Sequence, residues 1–111
     1  MNIAKKVEKY IYLTYNMHMK DVNWSNEKNN WLKNERGLSF ENVKHYIENE
    51  EYLDIIEHPN KEKYPNQRMF VIDIDEYIYC VPFVESEAEI FLKTIFPSRT
   101  LTKKYLKKME V

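Results

Sequence analysis

Apolar positions in this chain follow a helical period at the front, a two-residue period in the middle and a helical period again at the tail. Residues 2–16 place Ile3, Val7, Tyr10, Ile11 and Tyr15 at helical spacing, which predicts an amphipathic helix, although Ile11 to Tyr15 also fits a strand. Ser25 or Asn26 is suited to cap a helix carrying Trp31 and Leu32. That helix should stop at Gly37, which takes the left-handed position after a helix without strain. Ser39 then caps a second helix, with Phe40, Val43 and Ile47 on one apolar stripe.

The middle reads as an antiparallel sheet. Tyr52–Glu57 is a short strand that ends before the turn signal His58-Pro59-Asn60. Arg68–Ile74 alternates, with Phe70, Ile72 and Ile74 on one face, and a break at Asp75-Glu76 leads to Tyr77–Val84. A turn at Glu85–Glu89 leads to a last strand, Ile90–Phe96. Pro82 lacks an N–H, so its strand should be an edge or carry a bulge there. A final helix over about 102–109 can turn Tyr105 and Met109 to the sheet and its lysines to water. The expected class is α+β: three helices, about four antiparallel strands, then one helix.

Composition narrows the chemistry more than the fold. With 111 residues the chain fits one domain and can close a core without staples. A lone cysteine, Cys80, leaves no internal disulfide or Cys-based zinc set, and the apolar run around it suggests burial. His18 and His45 show no metal-ligand spacing, so neither metal nor cofactor is expected. One glycine removes any Gly-rich phosphate loop. No run reaches the ~20 apolar residues of a membrane span, and the start lacks a signal-peptide core, so a cytoplasmic protein is expected.

Net charge is −1, yet six cations stand against one anion between Phe91 and Val111. Such a concentrated positive tail beside aromatic side chains suits a phosphate-rich partner, RNA first. Arg99, expected at the end of the last strand, offers a planar fork for two bonds to phosphate. The plainer reading pairs it with a carboxylate between Glu48 and Asp54. Lys93 would share its face if no bulge intervenes, and Lys103 lies one helical turn on. Lys28 and Arg36 fall on the same general side of their helix and could touch a phosphodiester backbone, or simply pair with Glu27 and Glu35. Glu57 and His58 at a strand end could transfer protons, though His-Pro-Asn is equally good turn chemistry. Tyr64, Tyr77, Tyr79 and Tyr105 could stack on bases or line the core edge with wet hydroxyls.

Several segments in order carry a family resemblance: Trp24 with Glu27-Lys28-Asn29, then Arg36-Gly37-Leu38-Ser39-Phe40-Glu41, then Leu53 to Asn60. Tyr64 to Arg68, Tyr79 to Val84 and Lys93 to Arg99 complete it. From Val22 to about Lys108 the chain resembles the BrnT toxins of bacterial type II toxin–antitoxin modules. Residues 1–21 lie outside the resemblance, as an added helix or an upstream start with Met17 or Met19 as alternatives; residues 22–111 would form the toxin domain. The resemblance implies a RelE-like fold and a metal-independent endoribonuclease that stops translation. It also implies a cognate antitoxin partner, and contact with promoter DNA only through the antitoxin complex.

In that chemistry the RNA 2′-hydroxyl attacks the adjacent phosphate while a base and an acid move protons and cations stabilise the phosphorane-like state. Mapped onto this chain, Arg99 and Lys93 would stabilise charge, Glu57 or His58 would transfer protons, and Tyr105 would stack or donate a proton. Lys28, Arg36, Arg68, Lys103 and Tyr64 would hold the RNA. One departure is the tail, where lysines surround a single arginine and the family tends to arginine. Two other classes compete: a non-enzymatic toxin of the same fold that binds a protein such as gyrase, and a regulatory subunit of a DNA-binding complex. The near-neutral total charge and the absence of a helix-turn-helix pattern count against the last acting alone.

Overall fold

The computed structural model describes residues 20–106, so the helix expected over 2–16 and the end of the last helix, with Met109, lie outside the described residues. The elements run β1 (Asp21–Trp24), α1 (Asn26–Arg36), α2 (Phe40–Glu48), β2 (Asp54–Glu57), β3 (Gln67–Ile74), β4 (Tyr77–Glu85), β5 (Glu89–Leu92), β6 (Phe96–Pro97) and α3 (Arg99–Tyr105). The class is α+β as expected. The sheet, however, has six strands and is mixed, because β1 pairs parallel to β5 at its edge. Four residues are too few to establish a period, and Val22 and Trp24 look from sequence like the approach to a helix cap.

The helical front forms for the reasons its sequence suggests. The Ser25 hydroxyl accepts the Lys28 N–H at 3.2 Å, and Gly37 closes α1 at φ 65° while the Leu38 N–H returns to the Leu32 carbonyl. Ser39 caps α2 in the same way, and Phe40, Val43 and Ile47 are buried. Asn29 joins the two helices. Its carbonyl oxygen accepts the Phe40 N–H at 2.8 Å and its amide donates to Glu41 at 2.8 Å. Both helices cover one sheet face, where Phe70 stacks on Phe83 at 4.4 Å and Val81, Ile90 and Leu92 complete the core. Each such side chain contributes about 2 kcal/mol by leaving water.

The other face is buried as well. Met69, Val71, Ile78 and Cys80 are all within 2 % of full burial, so β3 runs buried from Met69 to Ile72 instead of alternating. α3 packs on this side against β4, and Tyr105 reaches across to donate its hydroxyl to Asp54 on β2 at 2.9 Å. Burial and the Asp54 carboxylate push the Tyr105 hydroxyl up to about 12. Burial pushes the Cys80 thiol up to about 11, which keeps it unreactive.

The long last strand expected over 90–96 is broken. Phe83 faces Leu92, but Cys80 faces Phe96, so Val81 and Pro82 stand against three residues, Lys93, Thr94 and Ile95. This is a one-residue bulge. It sits against Pro82, which has no N–H to give the ladder but whose carbonyl accepts the Lys93 N–H at 2.8 Å. Pro82 thus lies in a central strand and tolerates its place through the bulge. Two sequence expectations change as a result. Arg99 is the first residue of α3 and not the end of a strand, and the even spacing from Lys93 no longer sets a shared face.

Candidate functional site

The ten residues singled out from sequence fall into three groups, and the bulge, the hairpin turn and α3 decide the grouping.

The first group lies at the β3–β4 hairpin end of the sheet. Here Arg36, Gly37 and Ser39 from the α1–α2 joint meet Asp75, Tyr77 and Tyr79 around a cavity of about 440 Å³. The two tyrosine rings lie 5.8 Å apart, edge to face. Arg36 makes no ion pair with Glu35. One guanidinium nitrogen donates to the Ile95 carbonyl in the bulge at 2.5 Å, and the guanidinium sits 4.9 Å from the centre of the Trp31 ring. Lys28 lies 4.3 Å from the same ring, so both cations do share a side of α1, with Trp31 between them and 41 % exposed. Of the two large apolar residues this helix carries, only Leu32 is buried, together with Asn29.

Arg99 belongs to the same end. The Ser98 N–H bonds to the Ile78 carbonyl, so Arg99 enters α3 beside Tyr77. Its side chain is exposed and makes no ion pair or hydrogen bond among the described residues; the carboxylates from Glu48 to Asp54 do not take it.

A second group lies at the opposite end. Glu57 faces Arg68 across β2 and β3, and the ring of His58 lies against Tyr64 at 4.4 Å. His58 Nδ1 accepts the Asn60 N–H at 3.1 Å, which fixes that nitrogen as the acceptor and leaves Nε2 for other partners. Arg68 is committed elsewhere: its guanidinium pairs with Glu85, whose second oxygen pairs with Lys20 at 2.6 Å, and it covers the Phe83 ring. Burial alone would push the Glu85 carboxyl up, but hydrogen bonds and charge from Lys20 and Arg68 outweigh it and hold the group below its ordinary value. Arg68 therefore reads as a structural cation.

Five residues of β3 separate the level of Glu57 from that of Ile78, beside Arg99, and further strands lie between them laterally. At ~3.4 Å per residue and ~4.8 Å per strand, Glu57 and His58 stand on the order of 20 Å from Arg99. One phosphate cannot touch both groups.

The third group is on the α3 side. Lys93 is exposed in the bulge over the Phe91 ring, and Lys103 is exposed on α3. Tyr105 is half-buried and held by Asp54, so its ring is not a free platform. Among the described residues no helix is long and apolar enough to cross a membrane, and no group of three or more His, Cys, Asp or Glu side chains gathers as a metal cage. Sequence reasoning missed Asp75, read there only as a break between strands. A two-residue hairpin turn, however, sets both its residues at positive φ, here 54° and 66°, and the fold behind it makes Asp75 a wall of the cavity. No protein-family model, curated protein or solved structure matches this chain.

Proposed function

We propose that the protein is an RNA-cleaving toxin of RelE-like fold, acting in the cytoplasm without a metal and neutralised by a cognate antitoxin. The observation that carries this reading is the hairpin end. Arg99 is exposed and uncommitted among the described residues, and it stands at the same end as a cavity that combines an arginine with two tyrosines. A pentacoordinate phosphate gathers charge on its oxygens, and an unpaired guanidinium is the group best able to meet it. The resemblance of the ordered sequence segments to BrnT toxins is in keeping with this reading.

On this reading Arg99 stabilises the transition state, and Lys28 and Arg36 hold the strand beside Trp31. Glu57 and His58 are too distant to serve Arg99, so proton transfer falls to a group at the hairpin end; Tyr77, next in the strand to Ile78 whose carbonyl holds Ser98, is the candidate. Lys93 and Lys103 add positive field from the α3 side. Contact with promoter DNA would come only through the antitoxin complex.

The distance between the Glu57–His58 pair and Arg99 favours a second reading. A toxin that binds a protein target needs no acid–base pair beside its arginine. Induced expression of the wild type, Arg99→Ala and the double variant Glu57→Gln, His58→Ala in bacteria separates the two. RNA cleavage in step with growth arrest, lost in Arg99→Ala and kept in the double variant, is the expected result. Arrest with intact RNA supports the target-binding toxin. Normal growth with soluble, folded wild type removes both.

A further inference from the structure

The cavity at the hairpin end carries more chemistry than phosphate binding needs. Its volume of about 440 Å³ falls within the range of small-molecule sites. Three kinds of residue line it: the tyrosines Tyr77 and Tyr79, the arginine Arg36 and the aspartate Asp75. Arg36 is anchored through one nitrogen to the Ile95 carbonyl, which leaves its other N–H groups for a ligand. Asp75 sits at φ 54° in the turn, and its carboxylate has no hydrogen bond or ion pair among the described residues.

A carboxylate only accepts hydrogen bonds, so a base facing it must offer donors. Guanine presents two adjacent donors, N1–H and the N2 amino group, on its Watson–Crick edge. Adenine and cytosine place a ring-nitrogen lone pair beside their amino group, and uracil flanks its single N–H with carbonyls. Guanine also offers O6 and N7 as adjacent acceptors, the pair an arginine fork matches best. An aromatic platform completes the usual way proteins take a splayed-out base.

We propose that this cavity binds an unpaired guanine, stacked on Tyr79, with Asp75 on its N1–H and N2 amino donors and Arg36 toward O6 and N7. Asp75 is then the residue that sets base preference. The biological setting rests on the RNA-cleavage reading above, but binding at the cavity does not depend on it.

The test titrates the full chain with the 5′-monophosphates of guanosine, adenosine, cytidine and uridine, followed by protein NMR shifts. Guanosine monophosphate should bind at least about tenfold more tightly than the others, the discrimination of one good bidentate contact. Asp75→Asn should reduce the guanine preference by about tenfold, leaving only what Arg36 reads at O6 and N7. Asparagine tolerates positive φ, so this variant keeps the turn. Tyr79→Ala should weaken all four together by about tenfold or more, the loss of a stacking platform. Equal affinity for the four nucleotides, no binding at millimolar concentration, or a guanine preference undiminished by Asp75→Asn would overturn the assignment. Guanine-selective binding by a protein that cleaves no RNA removes the ribonuclease reading and keeps this one. Cleavage of RNA with no guanine preference in binding does the reverse.

Discussion

Tyr105 and Glu85 show how single side chains here exchange a functional appearance for a structural task. The Tyr105 hydroxyl donates to Asp54 across the α3 face, and its folded value near 12 lies above the ordinary 10.0. A tyrosine whose folded value is raised gives stability that is complete below pH 10 and is lost as pH rises toward 12. Tyr105→Phe should therefore cost about 1 kcal/mol at neutral pH and flatten the alkaline loss of stability. Chemical denaturation at pH 7 and pH 11 measures both. Glu85 has the opposite sign. Its depressed carboxyl contributes fully above its ordinary value of 4.5, and that contribution fades as pH falls. Glu85→Gln leaves Lys20 and Arg68 without their shared anion and should cost about 2 kcal/mol at pH 7. The deficit should shrink on acidification; a deficit independent of pH would rule out this account of the pair.

Among the elements, the hinge at Gly37 and the bulge opposite Pro82 position everything at the hairpin end. Gly37 stands at φ 65°, and nothing lies within 4 Å of where a Cβ would be added. Gly37→Ala should thus cost only the backbone strain, about 1 kcal/mol, with no steric penalty. A loss several times larger, read by thermal unfolding, would mean that the joint is packed and not merely turned. Gly37 was visible in the sequence, because glycine takes the left-handed position by itself; Pro82 signalled an edge or a bulge in its own strand, whereas the extra residue lies in the facing stretch Lys93 to Ile95. The capped helices and the β3–β4 hairpin were visible for the same local reasons. What the sequence hid is non-local. β1 is four residues long and exists because β5 lies beside it, and the second buried face of β3 exists because α3 crosses it. The bulge shifts register by one residue, and that shift undid the parity argument joining Lys93 to Arg99. Arg99 kept its interest for a reason no pattern supplies: of the acidic stretch that could have paired with it, Asp54 takes Tyr105 and Glu51 lies against His45.

Over the whole molecule, charge and shape divide the sheet into two ends. The Glu57 and His58 end holds its one arginine in a closed set with Glu85 and Lys20. At the hairpin end stand Arg99, Arg36 and the cavity with Asp75, and from Arg36 a stripe runs back along α1 over Trp31 to Lys28. Among the described residues, lysines without a carboxylate partner stand at both ends, Lys61 and Lys63 behind His58 among them. The proposed nucleic-acid partner therefore rests not on net charge but on Arg36 and Arg99, two arginines with no carboxylate partner among the described residues, standing at the end with the tyrosine-lined cavity. Attack by a 2′-hydroxyl leaves a distinctive mark, a 5′-hydroxyl on the downstream fragment. The most direct test adds purified wild type or Arg99→Ala to a bacterial translation extract and maps RNA 5′-hydroxyl ends within minutes. New ends made by the wild type and reduced at least about a hundredfold by Arg99→Ala, the scale of a lost transition-state contact, are the predicted result. Ends equally abundant with the variant, or none with folded wild type, would contradict the assignment of RNA cleavage to Arg99.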